Sequence, residues 1–205
     1  MIVAFHAEGR RSGKDTAGEF VREWAELRGL SYLRIAFADK MKLLVAETLG
    51  IQGTDEERVV AIDAFKLGGR VLWWREPPYE EPDDAISGRE FIINLAGDSD
   101  TDGARGLFGA NFWVDQALPP TGNQFGADVI AITDLRFEVE AQRVRQLGGV
   151  VVKIERNDVE GGRSEQGISP NLIDVRIDNN GTLEEFRVRI YSLMTAQLNF
   201  EDNNA

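Results

Sequence analysis

The sequence predicts a single α/β domain in which a parallel β-sheet is flanked by helices. Short apolar runs alternate along the chain with segments whose apolar residues recur every three or four positions, which is the pattern of strands alternating with helices. The length of 205 residues suits one such domain with a buried core. A glycine-containing loop also joins the first predicted strand to the first predicted helix. Its glycines allow backbone conformations that other residues rarely adopt.

Two strand–helix units open the chain. The predicted strands cover residues 2–5 and 32–37, and an amphipathic helix follows each of them. Gly50 closes the second helix. The apolar positions that predict the buried helix faces are Ala17, Phe20, Val21, Trp24 and Leu27 in the first helix and Met41, Leu44, Val45 and Leu49 in the second.

The middle of the chain predicts helices separated by polar loops. A loop is expected at residues 75–84 because they contain three prolines and five acidic residues. Ser87 and Glu90 have the spacing of a capping box, so a helix starts there. Before the loop at 75–84, a helix is expected over 55–65, with Val59, Val60 and Ile62 buried. After the loop, the sequence predicts a helix from Ser87 to Gly97, a mobile loop over 98–109 and an aromatic helix over 111–118.

The last third of the chain returns to alternating strands and helices. Residues 129–133 form an apolar run between Gly126 and Asp134, as expected of a strand buried on both faces of a parallel sheet. The remaining expectations are a helix carrying Phe137, Val144 and Leu147 and closed by Gly148, strands over 150–154 and 173–177, a helix over 182–194 with its own Thr-x-x-Glu capping box, and a frayed tail over 195–205.

The composition excludes several classes of function. The chain has no cysteine and one histidine, His6, which excludes disulfide frameworks, thiol nucleophiles and Cys/His zinc sites. A formal charge of -12 repels nucleic-acid polymers and anionic membranes, but a few focused cations can still bind a small phosphate compound. The amino terminus lacks the basic region of a signal peptide and no apolar stretch approaches 18 residues, so a cytoplasmic protein is expected.

The strongest candidate for chemistry is the glycine loop, residues 8–16. A glycine turn that opens a helix presents backbone N–H groups and the positive end of the helix dipole to an anion, and Lys14 adds a mobile charge. Two positions depart from the G-x-x-x-x-G-K-[ST] pattern, since Glu8 replaces the first glycine and Asp15 the hydroxyl residue. Thr16, or Asp15 through a water, is then the expected Mg²⁺ ligand. The alternative is a surface turn with an ordinary lysine.

Six short blocks of this sequence resemble, in the same order, those of tailed-phage deoxynucleoside monophosphate kinases. They cover residues 1 to about 194 and together are more specific than any one of them. The blocks are R-S-G-K-D-T at 11–16, F-A-D-K-M-K at 37–42, S-G-R-E at 87–90, F-W-V at 112–114, D-L-R-F-E at 134–138 and I-D-N-N-G-T-L at 177–183.

The resemblance implies a P-loop kinase core over residues 1–194 that transfers the γ-phosphoryl of ATP to a deoxynucleoside monophosphate with Mg²⁺. It also implies an acceptor-binding helical segment at about 39–118 and a short lid at about 156–169. The residues assigned to ATP are Gly9, Arg11, Ser12, Gly13, Lys14, Asp15, Thr16 and Asn179, and those assigned to the metal are Asp15, Thr16 and Asp134. Asn179 also suits a turn, and Asp134 suits the N-cap of the next helix.

The acceptor side is assigned to basic residues, with an ordinary structural alternative for each. Arg89 and Arg136 can clamp the acceptor phosphate bidentately, or form surface ion pairs. Asp39 and Lys42 can meet the acceptor nucleotide, or form a pair within one helix. Trp113, with Trp73, Trp74 and Phe112, can line the pocket for the base, or pack in the core. Arg163 or Arg156 can act from the lid, or lie in an ordinary solvated loop. Lys14, Arg136, Asp134 and Arg163 form the expected catalytic set.

Two other functions remain open from the sequence. One is a different small-molecule kinase with the same loop, resembling dephospho-coenzyme A kinase, whose chain ends in a similar I-D-N-x-G segment. The other is a nucleotide-binding module without catalysis, which Glu8 would permit. The expected partners are small nucleotides, with no nucleic-acid polymer or membrane, and a homodimer is left open.

Overall fold

The computed structural model describes residues 1–9, 11–72, 85–97, 103–120, 125–157 and 168–202. Two units divide the chain, Met1–Phe37 with Ala117–Ala205, and Ala38–Gln116. The elements in chain order are β1 Ile2–His6, α1 Lys14–Glu26, β2 Tyr32–Ile35, α2 Phe37–Thr48, α3 Asp55–Gly68, β3 Arg70–Leu72, β4 Ala85–Ser87, α4 Gly88–Ala96, α5 Ala104–Phe108, α6 Phe112–Ala117, β5 Val129–Leu135, α7 Glu138–Gln146, β6 Val150–Glu155, β7 Val175–Asp178 and α8 Leu183–Asp202.

The first unit contains a five-stranded sheet whose strands are all parallel. Its order is β2-β5-β1-β6-β7, so the first strand of the chain lies at the centre. The burial of every residue of β1 and of all but one residue of β5 explains their continuous apolar character. Helices flank this sheet, which confirms the predicted fold class. Parallel strands also bring all five carboxyl ends to one edge, where α/β proteins bind their ligands.

The main core of this unit lies between the sheet and helices α1 and α8. Side chains of β1, β5 and β6 that point to one face meet the apolar stripe of α1, including the fully buried Trp24. Phe20 of α1 and Phe186 of α8 meet edge to face with ring centroids 5.9 Å apart. Helix α7 packs against β1 and β6, with Ala141 and Val144 buried. The central strand and the helix that follows it are therefore held from several sides.

The second unit is mostly helical, with a small antiparallel pair of strands. Val45, Ala46, Ile62 and Ile92 from helices α2, α3 and α4 form its core. Strand β3 pairs with β4, and Ser87 at the end of β4 caps α4 by accepting a hydrogen bond from the Glu90 backbone. The predicted helix start at Ser87 and its end at Gly97 are thus confirmed.

Several expectations from the sequence differ from the structure. Four apolar residues expected on buried helix faces are exposed instead: Leu27 by 74%, Val60 by 68%, Leu44 by 44% and Leu49 by 40%. Part of the expected mobile loop over 98–109 is the short helix α5, and the rest lies outside the described residues, as does the loop at 75–84. The last helix continues past residue 194 to Asp202 because Leu198 still packs against the core. Within the described ranges, no helix is long and apolar enough to cross a membrane.

Candidate active site

The carboxyl edge of the sheet gathers most of the predicted site residues of the first unit. The glycine loop leaves β1 there, Asp134 and Arg136 lie at the end of β5, and Asn179 directly follows β7. A backbone hydrogen bond of 2.8 Å from Asn179 to the Glu155 carbonyl ties the ends of β7 and β6 together. The parallel topology therefore brings segments from opposite ends of the chain to one place.

Three described residues of the glycine loop have left-handed backbone geometry. Gly9, Arg11 and Gly13 have φ values of 106°, 59° and 102°, which is the left-handed region that favours glycine. Gly13 is the N-cap of α1. Left-handed residues are common in loops that bind phosphate oxygens through backbone N–H groups, and the N-terminus of a helix adds further N–H groups. The conformation of Arg11 is strained by about 1 kcal/mol or more, which other contacts of the loop must offset.

The side chain of Lys14 folds back over this loop. Its Nζ lies 3.3 Å from the Gly9 carbonyl oxygen and 3.4 Å from Ser12 Oγ. Lys14 is also the first residue of α1, where a positive charge opposes the helix dipole. An anion bound in the loop would relieve that conflict, which favours the functional interpretation of the lysine over the surface-turn alternative.

Asn179, near the other end of the sequence, forms a hydrogen bond with the backbone of the loop. Its buried amide Nδ2 donates a hydrogen bond of 2.8 Å to the Ser12 carbonyl oxygen. The same Nδ2 would lie 2.5 Å from a Cβ placed on Gly13. Only glycine fits between the loop and this amide. The structure thus gives Asn179 a contact with the loop backbone, and its contact with ATP stays a prediction.

Glu8 forms an ion pair with a residue of the neighbouring strand. The Glu8 carboxylate accepts a hydrogen bond from Lys153 of β6. This bond and the lysine charge hold the pKa of Glu8 below its usual range. The carboxylate that replaces the usual first glycine of the loop is therefore ionised and paired with Lys153.

Asp134 supports the beginning of α2. Its Oδ1 accepts a hydrogen bond of 2.8 Å from the backbone N–H of Phe37, the first residue of that helix. The alternative that Asp134 caps the following helix is wrong, because Phe137 occupies the N-cap position of α7. Phe137 and Arg136 instead donate their N–H groups to the buried Glu140 carboxylate, at 3.0 and 2.7 Å.

The proposed metal ligands provide oxygen donors suited to Mg²⁺. Asp15 lies exposed in the first turn of α1, Thr16 is half-buried beside it, and Asp134 lies at the end of β5. In the part of the chain that the structure describes, no group of three or more His, Asp or Glu residues could hold a metal ion. Mg²⁺ usually binds through one or two carboxylates together with substrate phosphates, so these residues fit an ion that arrives with a nucleotide.

His6 is a buried titratable residue next to the loop. The residue is 1% exposed, and its Nδ1 lies 3.2 Å from the Leu135 carbonyl oxygen. Its Nε2 is buried without a hydrogen-bond partner among the described residues. Burial lowers the pKa of His6, and the charges of Lys14 and Lys153 lower it further. The imidazole is therefore neutral at pH 7.

This burial predicts a loss of stability in weak acid. The unfolded chain binds a proton at His6 near pH 6.5, but the folded protein does so only at lower pH. The contribution of His6 to the free energy of unfolding is therefore fully present above about pH 7. It falls as the pH drops through 6.5, by at most about 1.4 kcal/mol per pH unit for this proton. Urea unfolding of the wild type and of His6→Gln at pH 7.5 and 5.5 tests this. A difference between the two proteins that is the same at both pH values would contradict it.

Structural contacts already involve three of the acceptor-side candidates of the second unit, Asp39, Lys42 and Trp113. Lys42 Nζ is 3.1 Å from Asp39 and 2.9 Å from Asp63, and its side chain is 11% exposed. Burial alone would lower the pKa of Lys42, but the two carboxylates outweigh burial and raise it. The indole of Trp113 is 3% exposed and donates to the Ala96 carbonyl at 3.1 Å. Arg89 is exposed in the first turn of α4.

The lid candidates fall at the border of the described residues. Arg163, Trp73 and Trp74 lie outside the described part of the chain. Arg156 follows β6, and its guanidinium lies 3.4 Å from the carbonyl oxygen of Arg11. This basic side chain is thus brought to the glycine loop from the adjacent strand. The roles of Arg156 and Arg163 stay predictions.

Lys153 is the site residue that the sequence analysis missed. A charged residue inside the apolar run of β6 is the signal that could have found it, because side chains of a parallel strand are mostly apolar. Its partner Glu8 could not be read from the sequence, since 145 residues separate the two.

Comparison with known proteins found a distant sequence similarity. No known family model matches the chain. A protein of Acanthamoeba polyphaga mimivirus named "Putative deoxynucleotide monophosphate kinase" is 22% identical over 217 residues, which cover 94% of this chain and 95% of that protein. The similarity extends over nearly the whole of both chains. Together with the parallel α/β fold, it supports a nucleotide kinase function.

Proposed function

We propose that the chain is an ATP-dependent deoxynucleoside monophosphate kinase, which converts a deoxynucleoside monophosphate and ATP into the deoxynucleoside diphosphate and ADP. The observation that carries this proposal is the glycine loop at the carboxyl end of the central strand, with Lys14 folded over it and Gly13 opening α1. Such a loop binds the phosphates of a nucleotide through its backbone N–H groups. The named function of the mimivirus relative supports the choice of acceptor.

The residues of the loop bind and orient the donor in this proposal. Phosphoryl transfer needs little covalent chemistry from the protein, so positioning of the phosphates and neutralisation of their charge provide most of the catalysis. Lys14 moves from the Gly9 carbonyl onto the outer phosphate oxygens, while the Gly13 N–H and its neighbours hold the inner ones. Asp15, Thr16 and Asp134 would hold Mg²⁺, which would supply further neutralisation of the phosphate charge.

The acceptor phosphate is assigned to Arg136 and Arg89. Arg136 lies immediately after β5, and its backbone is held by the bond to Glu140. A guanidinium matches the oxygens of a phosphate bidentately, which suits it to orienting the monophosphate toward the donor. Arg163, which lies outside the described residues and which the resemblance assigns to a lid, is proposed as the fourth catalytic residue. Asp39, Lys42 and Trp113 are proposed on the acceptor side as well.

The proposal is tested by ADP release with ATP and Mg²⁺ against a panel of acceptors. The panel contains dAMP, dGMP, dCMP, dTMP, the ribonucleotides and dephospho-coenzyme A. Release that depends on one or more deoxynucleoside monophosphates supports the proposal and identifies the base. Release with dephospho-coenzyme A alone would assign the chain to that other class of kinase. ATP binding without release on any acceptor would favour a non-catalytic module.

Removal of either acceptor arginine is expected to impair the acceptor and not the donor. Arg136→Ala and Arg89→Ala each lose a charge-assisted contact, so the KM for the acceptor rises by about tenfold or more and kcat falls. The KM for ATP stays within about threefold of the wild-type value. Steady-state kinetics with each substrate varied in turn measures both constants. Arg145→Ala, which removes an arginine that pairs with Asp174 at 3.5 Å before β7, is the control, and equal effects of all three variants would contradict the assignment.

A further inference from the structure

Glu8 introduces a negative charge at the start of the glycine loop. It directly precedes Gly9, whose carbonyl oxygen lies 3.3 Å from Lys14 Nζ. Its side chain is 62% exposed, and the pKa of its carboxyl group is below the usual range, so this group is ionised at neutral pH. An unpaired carboxylate at this position would repel the phosphates of a nucleotide. A phosphate site in this loop therefore requires a contact that neutralises the Glu8 carboxylate or holds it away from the phosphates.

Lys153 provides that contact from the adjacent strand. It lies opposite His6 in the register between β1 and β6, and its side chain is only 16% exposed, so its ammonium group is held in a restricted position. Val152 and Ile154, on either side of Lys153, belong to the core shared with α1 and α8. Because side chains alternate along a strand, Lys153 lies on the opposite face of the sheet. The ammonium group that pairs with Glu8 therefore comes from the face of the sheet opposite α1 and α8.

We propose that Lys153 is a positioning residue that, by pairing with Glu8, holds this carboxylate away from the glycine loop and thereby permits ATP to bind there. The inference rests on the proposed function, since it concerns the same phosphate site. Lys153 acts through Glu8 and does not touch the nucleotide. It follows that Lys153 is needed only while residue 8 is acidic.

A double-mutant cycle tests this dependence. The dissociation constant of ATP is measured by calorimetry for the wild type, Lys153→Met, Glu8→Gln and the double variant, with melting temperatures as a check on folding. Charges several ångströms apart in partly solvated surroundings change a binding constant by about tenfold, so Lys153→Met is expected to weaken ATP binding by roughly that factor. Glu8→Gln and the double variant are expected to bind ATP within about twofold of the wild type.

Two further variants separate the pair from general effects of charge. Lys153→Arg keeps the cation and should retain binding. Arg145→Met removes the cation that pairs with the Asp174 carboxylate. Asp174 directly precedes β7, so this pair lies at the amino-terminal edge of the sheet, opposite to the glycine loop. ATP binding by this variant should equal that of the wild type. In steady-state assays, Lys153→Met should raise the KM for ATP by about the same tenfold factor while kcat changes less than twofold.

The outcomes that overturn the proposal are distinct from a failure of the proposed function. If Lys153→Met binds ATP as well as the wild type, the pair has no role in binding. If the double variant remains as weak as Lys153→Met, Lys153 contributes its own charge to the nucleotide and the proposed route through Glu8 is wrong. If the wild type binds neither ATP nor inorganic tripolyphosphate, the phosphate site itself is wrong, and the inference is overturned with it.

Discussion

Replacing Lys14 with alanine is expected to lower kcat for ADP release by about a hundredfold or more while the protein stays folded. The reason is that Lys14 supplies a full positive charge at the loop, and charge neutralisation is the main contribution of the protein to phosphoryl transfer. Its Nζ lies 3.3 Å from the Gly9 carbonyl oxygen and 3.4 Å from Ser12 Oγ, which are long hydrogen bonds, so the loss of these two contacts costs the fold little. Turnover with a saturating acceptor and a thermal unfolding curve are the two measurements.

The matched control for Lys14→Ala is Arg22→Ala on the same helix. Arg22 is half-exposed and pairs with Glu19 and Glu26, at 2.6 and 3.4 Å. This control removes one positive charge from α1 without touching the loop, so turnover should remain within about twofold of the wild type. Near-normal turnover of Lys14→Ala would refute the assignment of the loop as the phosphate site.

Gly13→Ala is expected to abolish detectable ATP binding and to destabilise the protein by about 1–3 kcal/mol. The backbone of Gly13 has a φ of 102°, which an alanine adopts only under strain. The added Cβ would also lie 2.5 Å from Asn179 Nδ2 and 3.3 Å from the Phe186 ring. Because Asn179 is buried and bonded to the Ser12 carbonyl, it cannot move aside without releasing the loop. Calorimetric titration with ATP and urea unfolding measure the two effects.

Gly29→Ala isolates the steric part of this effect. Gly29 also has a left-handed φ, of 67°, but a Cβ there would meet nothing within 4 Å. It lies in the turn after α1, at the far end of that helix from the loop. This variant should lose about 1 kcal/mol of stability from strain alone and should bind ATP normally. If both variants bind ATP equally well, the close fit between Gly13 and Asn179 is unimportant for the site.

The elements that the sequence predicted well are those specified by local signals. The strand, loop and helix of residues 2–26 follow from apolar periodicity and a glycine turn, and the helix start at Ser87 follows from its own cap. The β3–β4 pair was missed because each strand has only three residues and shows no period. The end of α8 was placed too early because Thr195 reads as polar, whereas its hydroxyl accepts a hydrogen bond of 3.1 Å from the buried Trp24 indole.

The candidate site was predictable in its residue types but not in its contacts. The glycine loop is contiguous, so its chemistry can be read directly from residues 8–16. The environment of Glu8 depends on which strand lies next to β1, and that strand, β6, is far away in the sequence. From sequence alone, Glu8 appears only as a departure from a pattern. The pairing with Lys153 gives that departure a physical explanation.

The hydrogen bond between Asn179 and Ser12 has a consequence for the order in which the protein matures. It joins positions 167 residues apart, so the loop receives this support only after most of the chain has left the ribosome. The central strand β1 likewise can pair only after its two neighbours have been synthesised, and these strands, β5 and β6, begin at Val129 and Val150. A nascent chain released before residue 179 would contain every residue of the loop without this hydrogen bond, and we expect it to lack the proposed nucleotide affinity. Under the proposed function, ATP binding is therefore expected only after residue 179 has been synthesised.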